Sequence, residues 1–120
     1  MVGLLQRVRA ARVTAEDKVL AEIGFGLLVL VGVERGDDAH KTQRLLDRIL
    51  GYRVFADSDG KMNLSLRDVN GALLLVPNFT LAADTAKGMR ASFTPAAAPV
   101  AGERLFAYMV GGAKIGRAHV

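Results

Sequence analysis

A short, fully apolar run that ends in polar residues constrains the fold more than any other feature of this chain. Leu73 to Val76 has the length and branching of a β-strand that is covered on both faces. Asn78 and Thr80 follow where such a strand would emerge from the core. Because a side-chain amide beside a hydroxyl can bind a polar substrate and polarise a carbonyl, we expect the chemistry of this protein at the end of that strand.

The composition is that of one small globular domain. Its 120 residues are 51% hydrophobic and 23% charged, and a chain of this size can bury a core without covalent staples. The chain has no cysteine, which excludes disulfides and thiolate metal sites. The apolar run at 23–33 is far shorter than the roughly 20 residues of a membrane helix, so we interpret it as a core strand. No signal-peptide pattern precedes it, and we expect a cytoplasmic protein without membrane association.

The charge balance favours an anionic partner such as RNA, because the formal charge is +4 and the pI is about 9.9. A stand-alone RNA-binding module has less support, since the chain has neither a long basic run nor an aromatic platform for stacking bases. Asp57 and Asp59 have the alternate spacing of a calcium loop, but no glutamate stands at the closing position. We therefore predict no metal site.

The apolar periodicity predicts a single α+β domain. Strands are expected at 3–14, 19–23 and 27–33 as a β-meander, then at 52–55, 64–66 and 72–76. A helix is expected at 39–50, capped by the pair Asp37-Asp38 and ended by Gly51. A second helix is expected to begin within 95–99 and to end at the pair Gly111-Gly112.

Six separated blocks resemble, in the right order, the D-aminoacyl-tRNA deacylases of the bacterial type, also called D-tyrosyl-tRNA deacylases. The resemblance runs from Met1 to about Lys114. The blocks are LQRV at 5–8, GLLVLVGVE at 26–34, YRVF at 52–55, GKMNLS at 60–65, FTLAADT at 79–85 and GMR at 88–90.

The resemblance implies one domain over 1–114, with a mostly antiparallel, barrel-like sheet and two packed helices. It also implies a homodimer that hydrolyses the ester between a D-amino acid and the 3′-terminal adenosine of a tRNA. Glycine mischarged on the alanine tRNA is a further implied substrate. No cofactor and no metal are implied.

The resemblance places catalytic roles on Asn78, Phe79 and Thr80, in a pocket built largely from main chain. The 2′-hydroxyl of the RNA is thought to assist the attack of water. Because an aminoacyl ester is already activated, positioning and oxyanion stabilisation matter more than a strong base. We expect Thr80 to orient the ester rather than to act as a nucleophile, since no base is evident to activate it. Substrate binding is expected of Pro77, Arg7, Met89 and Phe93, the last two beside the terminal adenine.

For two of these residues a purely structural role stays open. Thr80 is a β-branched residue whose hydroxyl could be satisfied locally within a strand. Arg7 lies in the first predicted strand, where an arginine can serve the structure instead of the substrate.

Two positions before the Phe-Thr block depart from the family. Pro77 and Asn78 stand where the family has Ser and Gln, and the proline removes a backbone donor as well as a hydroxyl. If that N–H binds the substrate carbonyl, we expect activity to fall about a hundredfold. A non-catalytic tRNA-binding or assembly module of the same fold is therefore the second interpretation, which the basic charge also favours.

The end of the chain departs from the family as well. Family members continue past the second helix into strands that carry a Gly-Pro pair, which enforces chirality across the dimer, but no Gly-Pro pair occurs here. Residues 115–120 match the translation of a common sequencing adapter, and we interpret them as a non-native tail. We therefore expect an incomplete copy that is impaired in chiral selection, dimer assembly or both.

Overall fold

A central three-stranded sheet is built from strands that lie far apart in the sequence. The computed structural model describes residues 1–78 and 99–115. In chain order these residues form β1 (Val2–Val8), β2 (Ala11–Ala15), β3 (Lys18–Ile23), β4 (Gly26–Gly32), α1 (Ala39–Gly51), β5 (Phe55–Ala56), β6 (Met62–Leu64), β7 (Ala72–Pro77) and α2 (Pro99–Ile115). The strand order of the central sheet is β1-β4-β7.

The pairing is mostly antiparallel. β1 runs antiparallel to β4, and the hairpins β2–β3 and β5–β6 are antiparallel as well. β7 is the exception, since it pairs with β4 in parallel, with Val31 opposite Pro77. The α+β class with two packed helices is confirmed. Over residues 1–78 and 99–115 the strands do not close into a barrel.

The predicted meander is wrong, because β1 pairs with β4 and not with β2. The single strand predicted at 3–14 is in fact two strands separated at Arg9 and Ala10. β2 turns directly into β3 through Glu16 and Asp17, which both have positive φ angles, of 51° and 64°. Left-handed residues of this kind are typical of tight hairpin turns, so β2 belongs to its own hairpin.

The first helix is confirmed at nearly its predicted bounds. The carboxylate of Asp38 accepts a hydrogen bond from the backbone N–H of Lys41 at 2.8 Å, and this caps the orphan donors of the first turn. Leu46, Ile49 and Leu50 are each 1% exposed, as the helical spacing of apolar residues predicts.

The second helix does not end at the glycine pair, so its predicted end is wrong. α2 continues through Gly111 and Gly112 to Ile115. A Cβ at residue 112 would lie 2.9 Å from Cδ2 of Leu46 on α1. The glycine therefore allows the two helices to approach closely, instead of ending the helix.

Two short elements also differ from the prediction. The strand predicted at 64–66 is β6 at 62–64, and the strand predicted at 52–55 is the two-residue β5. Ser65 and Leu66 belong to a turn, because the carboxylate of Asp68 accepts hydrogen bonds from both the backbone N–H and the hydroxyl of Ser65.

The core lies between one face of the central sheet and the two helices. Its members include Leu27, Val29, Val31, Leu73 and Leu75 from the sheet and Leu46, Ile49, Leu50 and Met109 from the helices. The other face of the sheet is also apolar. We call it the open sheet face, and its members are Val2, Leu4, Leu28, Leu30 and Val76, of which Leu4 is 46% exposed.

Neither helix in residues 1–78 and 99–115 is long and apolar enough to cross a membrane.

Candidate functional site

The carboxyl end of β7 lies beside the carboxyl end of β4, because the two strands are parallel. The backbone N–H of Asn78 donates to the carbonyl oxygen of Val31 at 2.7 Å, which extends the pairing one residue beyond β7. Pro77 is exposed and Asn78 is half-buried. The predicted site segment therefore begins at the protein surface, as the polar residues after the apolar run predict.

Pro77 occupies a position where a proline costs the pairing of β7 with β4 no hydrogen bond. The N–H groups of Ala72 and Asn78 both point to β4, where they donate to the carbonyls of Phe25 and Val31 at 2.9 and 2.7 Å. Because donors alternate in direction along a strand, the nitrogen of residue 77 faces away from β4. A residue with an N–H at this position would present that donor to the outer edge of β7.

Four of the predicted site residues lie outside the described residues. They are Phe79, Thr80, Met89 and Phe93. Their roles in catalysis and adenine binding stay predictions.

Arg7 lies at the opposite end of the central sheet from Pro77 and Asn78. It stands opposite Leu27, which in turn stands opposite Leu73 at the start of β7. Five residues of strand separate that level from Asn78, a distance of at least about 16 Å. A single chain therefore does not bring Arg7 together with the end of β7.

Arg7 has local partners at its end of the sheet. Its Nη1 donates to the carbonyl oxygen of Val54 at 3.2 Å and lies 3.3 Å from Sδ of Met62. These contacts tie β1 to the segment that contains β5 and β6. They agree with the structural interpretation of this arginine, while a contact with substrate stays a prediction.

An ion cluster that the sequence did not predict lies at the end of the sheet where β7 finishes. The N-terminal amine of Met1 is 2.6 Å from Oε1 of Glu34 and 3.0 Å from Oδ1 of Asp37. The other oxygen of Asp37 accepts the backbone N–H of Glu34 at 2.7 Å. We call these three groups the N-terminal clasp. It joins the start of β1 to the loop between β4 and α1.

The clasp changes the protonation of the amine. Burial alone would lower the pKa of the Met1 amine, but the hydrogen bonds and charges of Glu34 and Asp37 outweigh burial and raise that pKa above its ordinary value of 8.0. The side chain of Asp37 is 3% exposed and that of Glu34 is 39% exposed. Asp37 therefore provides the more sheltered of the two ion pairs.

The antiparallel pairing of β1 with β4 is the structural feature that locates the clasp, and the sequence did not predict that pairing. It brings Val2 opposite Gly32, so the chain terminus lies beside the residues that follow β4. The two carboxylates could then be recognised as partners of an amine that no side-chain pattern displays.

Two of the clefts among the described residues have volumes of about 400 Å³ each. One lies between the helices and is lined by Gln43, Asp47, Leu50, Arg67, Tyr108, Gly111 and Gly112. The other lies beside the N-terminal clasp and includes basic residues of α1. Neither is lined by Pro77, Asn78 or Arg7.

Asp57 stabilises a turn in the described part of the chain. Asp57 accepts hydrogen bonds from the Asn63 amide at 2.9 Å and from the backbone N–H of Lys61 at 3.0 Å. The hydrogen bond from Asn63 lowers the pKa of Asp57 most, and that from Lys61 lowers it further. Within residues 1–78 and 99–115, no group of three or more His, Asp or Glu residues could hold a metal ion.

Comparison with known proteins identifies the family. A family model described as D-Tyr-tRNA(Tyr) deacylase matches residues 4–119. The chain belongs to this deacylase family. A D-aminoacyl-tRNA deacylase of Nitrosococcus oceani is 62% identical over 114 residues, which are 95% of this chain and 74% of the relative. The corresponding deacylase of Salmonella arizonae is 56% identical over 111 residues, covering 92% of this chain and 77% of its own length.

Solved structures share the fold of this chain. The c-Myc DNA Unwinding Element Binding Protein matches with a TM-score of 0.87 and 30% identity, over 94% of this chain and 76% of its own. A probable eukaryotic D-amino acid tRNA deacylase matches with a TM-score of 0.78 over 96% and 67% of the two chains. At 20% identity, the second likeness shows the fold alone. The family model and the sequence relatives confirm the family that the sequence blocks indicate.

Proposed function

We propose that this chain hydrolyses the ester of D-aminoacyl-tRNA and releases the D-amino acid and the tRNA, as a step of translation quality control. The observation that carries the proposal is the 62% identity with a D-aminoacyl-tRNA deacylase over 95% of the chain. The proposed location of this activity is the cytoplasm, where tRNA serves translation. Glycine esterified to the alanine tRNA is included among the proposed substrates.

The proposed site is the surface where β7 ends. Water attacks the ester carbonyl carbon, and the ribose oxygen of the 3′-terminal adenosine leaves. In this proposal Thr80 and Asn78 orient the ester, and backbone N–H groups of the segment, including that of Phe79, stabilise the oxyanion. The exposed end of β7 supports this location, because a substrate of this size needs an open approach. No metal or cofactor takes part in the proposed reaction.

The binding of the adenosine is assigned to Met89 and Phe93, which can enclose a base between apolar side chains. Pro77 lies at the rim of the same site. Arg7 is too far from Asn78 to share one chain's pocket. Its proposed contact with substrate therefore requires a second protomer.

A homodimer is part of the proposal. The open sheet face offers an apolar surface for it, with Leu4 46% and Val2 36% exposed. Sedimentation equilibrium should give twice the chain mass for the protein and the single chain mass for Leu4→Lys. A native chain that sediments as a monomer at all concentrations would contradict the dimer.

Replacement of Thr80 tests hydrolysis directly. Thr80→Val should lower the rate of D-aminoacyl-tRNA hydrolysis at least tenfold, since it removes the orienting hydroxyl. Thr14→Val makes the same change on an exposed hairpin residue and should keep the native rate. Native turnover by Thr80→Val would show that the hydroxyl of Thr80 has no role in hydrolysis.

A nucleic-acid-binding role without hydrolysis is the second candidate. It is favoured by the charge of +4 and by the likeness to a protein named for binding a DNA unwinding element. The two functions differ in a single assay of the native chain. An enzyme accelerates ester hydrolysis above the spontaneous rate, whereas a binder retains tRNA and leaves that rate unchanged.

A further inference from the structure

The solvent-facing side of α1 carries a row of cations. Lys41, Arg44 and Arg48 recur at helical spacing, which places them on one face, and all three are exposed. Arg35, from the loop between β4 and α1, is exposed as well. These four residues line the cleft of about 400 Å³ beside the N-terminal clasp. We call it the basic cleft.

The basic cleft has an excess of positive charge. Four side-chain cations and the Met1 amine meet two carboxylates, Glu34 and Asp37, which leaves a net charge of three positive among the lining residues. Both carboxylates are held by the amine in the clasp. The nearby Asp38 is engaged as the helix cap. The acidic groups around the cleft are therefore occupied.

The cations of the cleft are available to a ligand. Over residues 1–78 and 99–115 no salt bridge involves Arg35, Lys41, Arg44 or Arg48. The only hydrogen bond of these four side chains in that part of the chain is from Lys41 to the carbonyl of Gly36, at 3.4 Å. An unpaired row of this kind suits an anion with several charges in sequence.

The spacing and the position of the row fit a nucleic-acid backbone. Lys41 to Arg48 spans about 10 Å along the helix axis, which is long enough for the row to contact neighbouring phosphates of one strand. The cleft also includes Glu34, three residues after Val31, which binds the N–H of Asn78. It therefore lies at the β7 end of the sheet, on the same side of the molecule as the proposed ester site.

We propose that the basic cleft binds the phosphate backbone of the tRNA near its 3′ end and so delivers the terminal adenosine to the end of β7. The inference rests on the proposed function for the identity of the RNA. Contacts of this kind position a substrate without reading its sequence, so the cleft should hold different tRNAs about equally well.

Binding of uncharged tRNA to the full chain tests the cleft without requiring turnover. Lys41→Gln/Arg44→Gln should raise the Kd about tenfold or more and lower the slope of log Kd against log salt by about 1.5. The matched control is Arg9→Gln/Arg67→Gln, which removes two exposed charges at the opposite end of the sheet. It should leave the salt slope close to native. Fluorescence anisotropy of labelled tRNA over a salt series measures both quantities.

A charge-preserving variant guards against a folding defect. Lys41→Arg/Arg44→Lys should keep the native Kd and slope, because a phosphate contact needs the charge at these positions. Equal losses in the cleft and control variants would overturn the proposal, and so would a native salt slope in Lys41→Gln/Arg44→Gln. Absence of ester hydrolysis by the native chain would refute the proposed function and leave the binding result valid.

Discussion

The two ends of the central sheet are built in different ways. At the start of β7, Gly26 and Ala72 are in such close contact that the backbone leaves no room for a side chain on residue 26. At the end of β7, the sheet carries a proline, a half-buried asparagine and the three charged groups of the N-terminal clasp. The first end fixes the register of the parallel pair by close packing. The second end carries polar and charged groups, and the last residue of its strand, Pro77, is exposed.

The comparison implies that a change at the packed end acts on stability, whereas a change at the polar end acts on function at residue 77 and on stability in the clasp. Substitutions at the two ends test that division.

The largest effect is expected from Gly26→Ala. A Cβ at residue 26 would overlap the carbonyl oxygen of Ala72 and lie 2.7 Å from its carbonyl carbon and its nitrogen. Because backbone atoms cannot move aside as a side chain can, β4 and β7 must separate, which should cost about 3 kcal/mol or more of unfolding free energy. Urea denaturation measures this.

Gly24→Ala is the control, since a Cβ there meets no atom within 4 Å. It should change the free energy of unfolding by at most about 1 kcal/mol, in the stabilising direction. Equal stabilities of the two variants would mean that the packed end does not set the register.

At the polar end, restoring the N–H of residue 77 should raise the catalytic rate. Pro77→Ala returns a donor that faces the outer edge of β7, and Pro77→Ser returns a hydroxyl as well. If that donor binds the substrate carbonyl, kcat should rise by up to about a hundredfold in both variants. A rise in Pro77→Ser alone would assign the effect to the hydroxyl, and no rise in either would exclude residue 77 from the oxyanion site.

The clasp should contribute to stability through Asp37. In Asp37→Asn one carboxylate oxygen becomes an NH₂ group, which must then face either the Met1 amine or the N–H of Glu34. Loss of a sheltered, charge-assisted hydrogen bond should lower the free energy of unfolding by about 2 kcal/mol. Asp47→Asn removes the same charge at an exposed position and should cost less than about 0.5 kcal/mol. A similar cost in both variants would contradict a specific role for the clasp.

The clasp also predicts a pH dependence. The pKa of the Met1 amine is raised in the folded chain, so its stabilising contribution is complete below the unfolded value of 8.0 and is lost as the pH rises through the folded value. Stability should therefore fall as the pH is increased above about 8. A chain extended by two residues before Met1 should lack this fall, because its amine is displaced. Thermal melts of the native and the extended chain across this pH range measure the fall, and intact mass verifies that the native chain begins with Met1. Melting temperatures that fall in parallel for the two chains would contradict the role of the amine.

The smallest effect is expected from Arg7→Gln. The variant loses the contacts of Arg7 with Val54 and Met62. Because these contacts lie at the protein surface, the free energy of unfolding should fall by only about 0.5–1 kcal/mol. Arg9→Gln is the comparison, because Arg9 makes no such contact in the described part of the chain. Chemical denaturation that fails to separate the two variants would argue against a structural role for Arg7.

Local signals in the sequence predicted the parts of the fold that depend on neighbouring residues. The cap at Asp38 and the apolar spacing from Leu45 to Leu50 defined α1, and the uninterrupted run at Leu73 defined β7. The family was predicted from several sequence blocks that lie in different helices, strands and loops.

Features that depend on distant residues could not be predicted in the same way. The parallel pairing of β7 with β4 joins segments more than forty residues apart, as with Leu27 and Leu73. Gly112 is a residue type that commonly ends a helix. The close approach of Leu46 shows that it serves the packing of the two helices instead. The clasp depends on a main-chain amine, which side-chain patterns do not display. Among the proposed site residues, Asn78 was chosen because it follows the apolar run, and Pro77 came from the family resemblance. Their roles stay predictions.

The most direct test of the proposed activity is the hydrolysis of D-tyrosyl-tRNA by the native 120-residue chain under single-turnover conditions. The ester should be cleaved well above its spontaneous rate, and Thr80→Val should reduce that rate while Thr14→Val does not. A native chain that leaves the ester to decay at the rate seen in buffer would contradict a deacylase site at the end of β7.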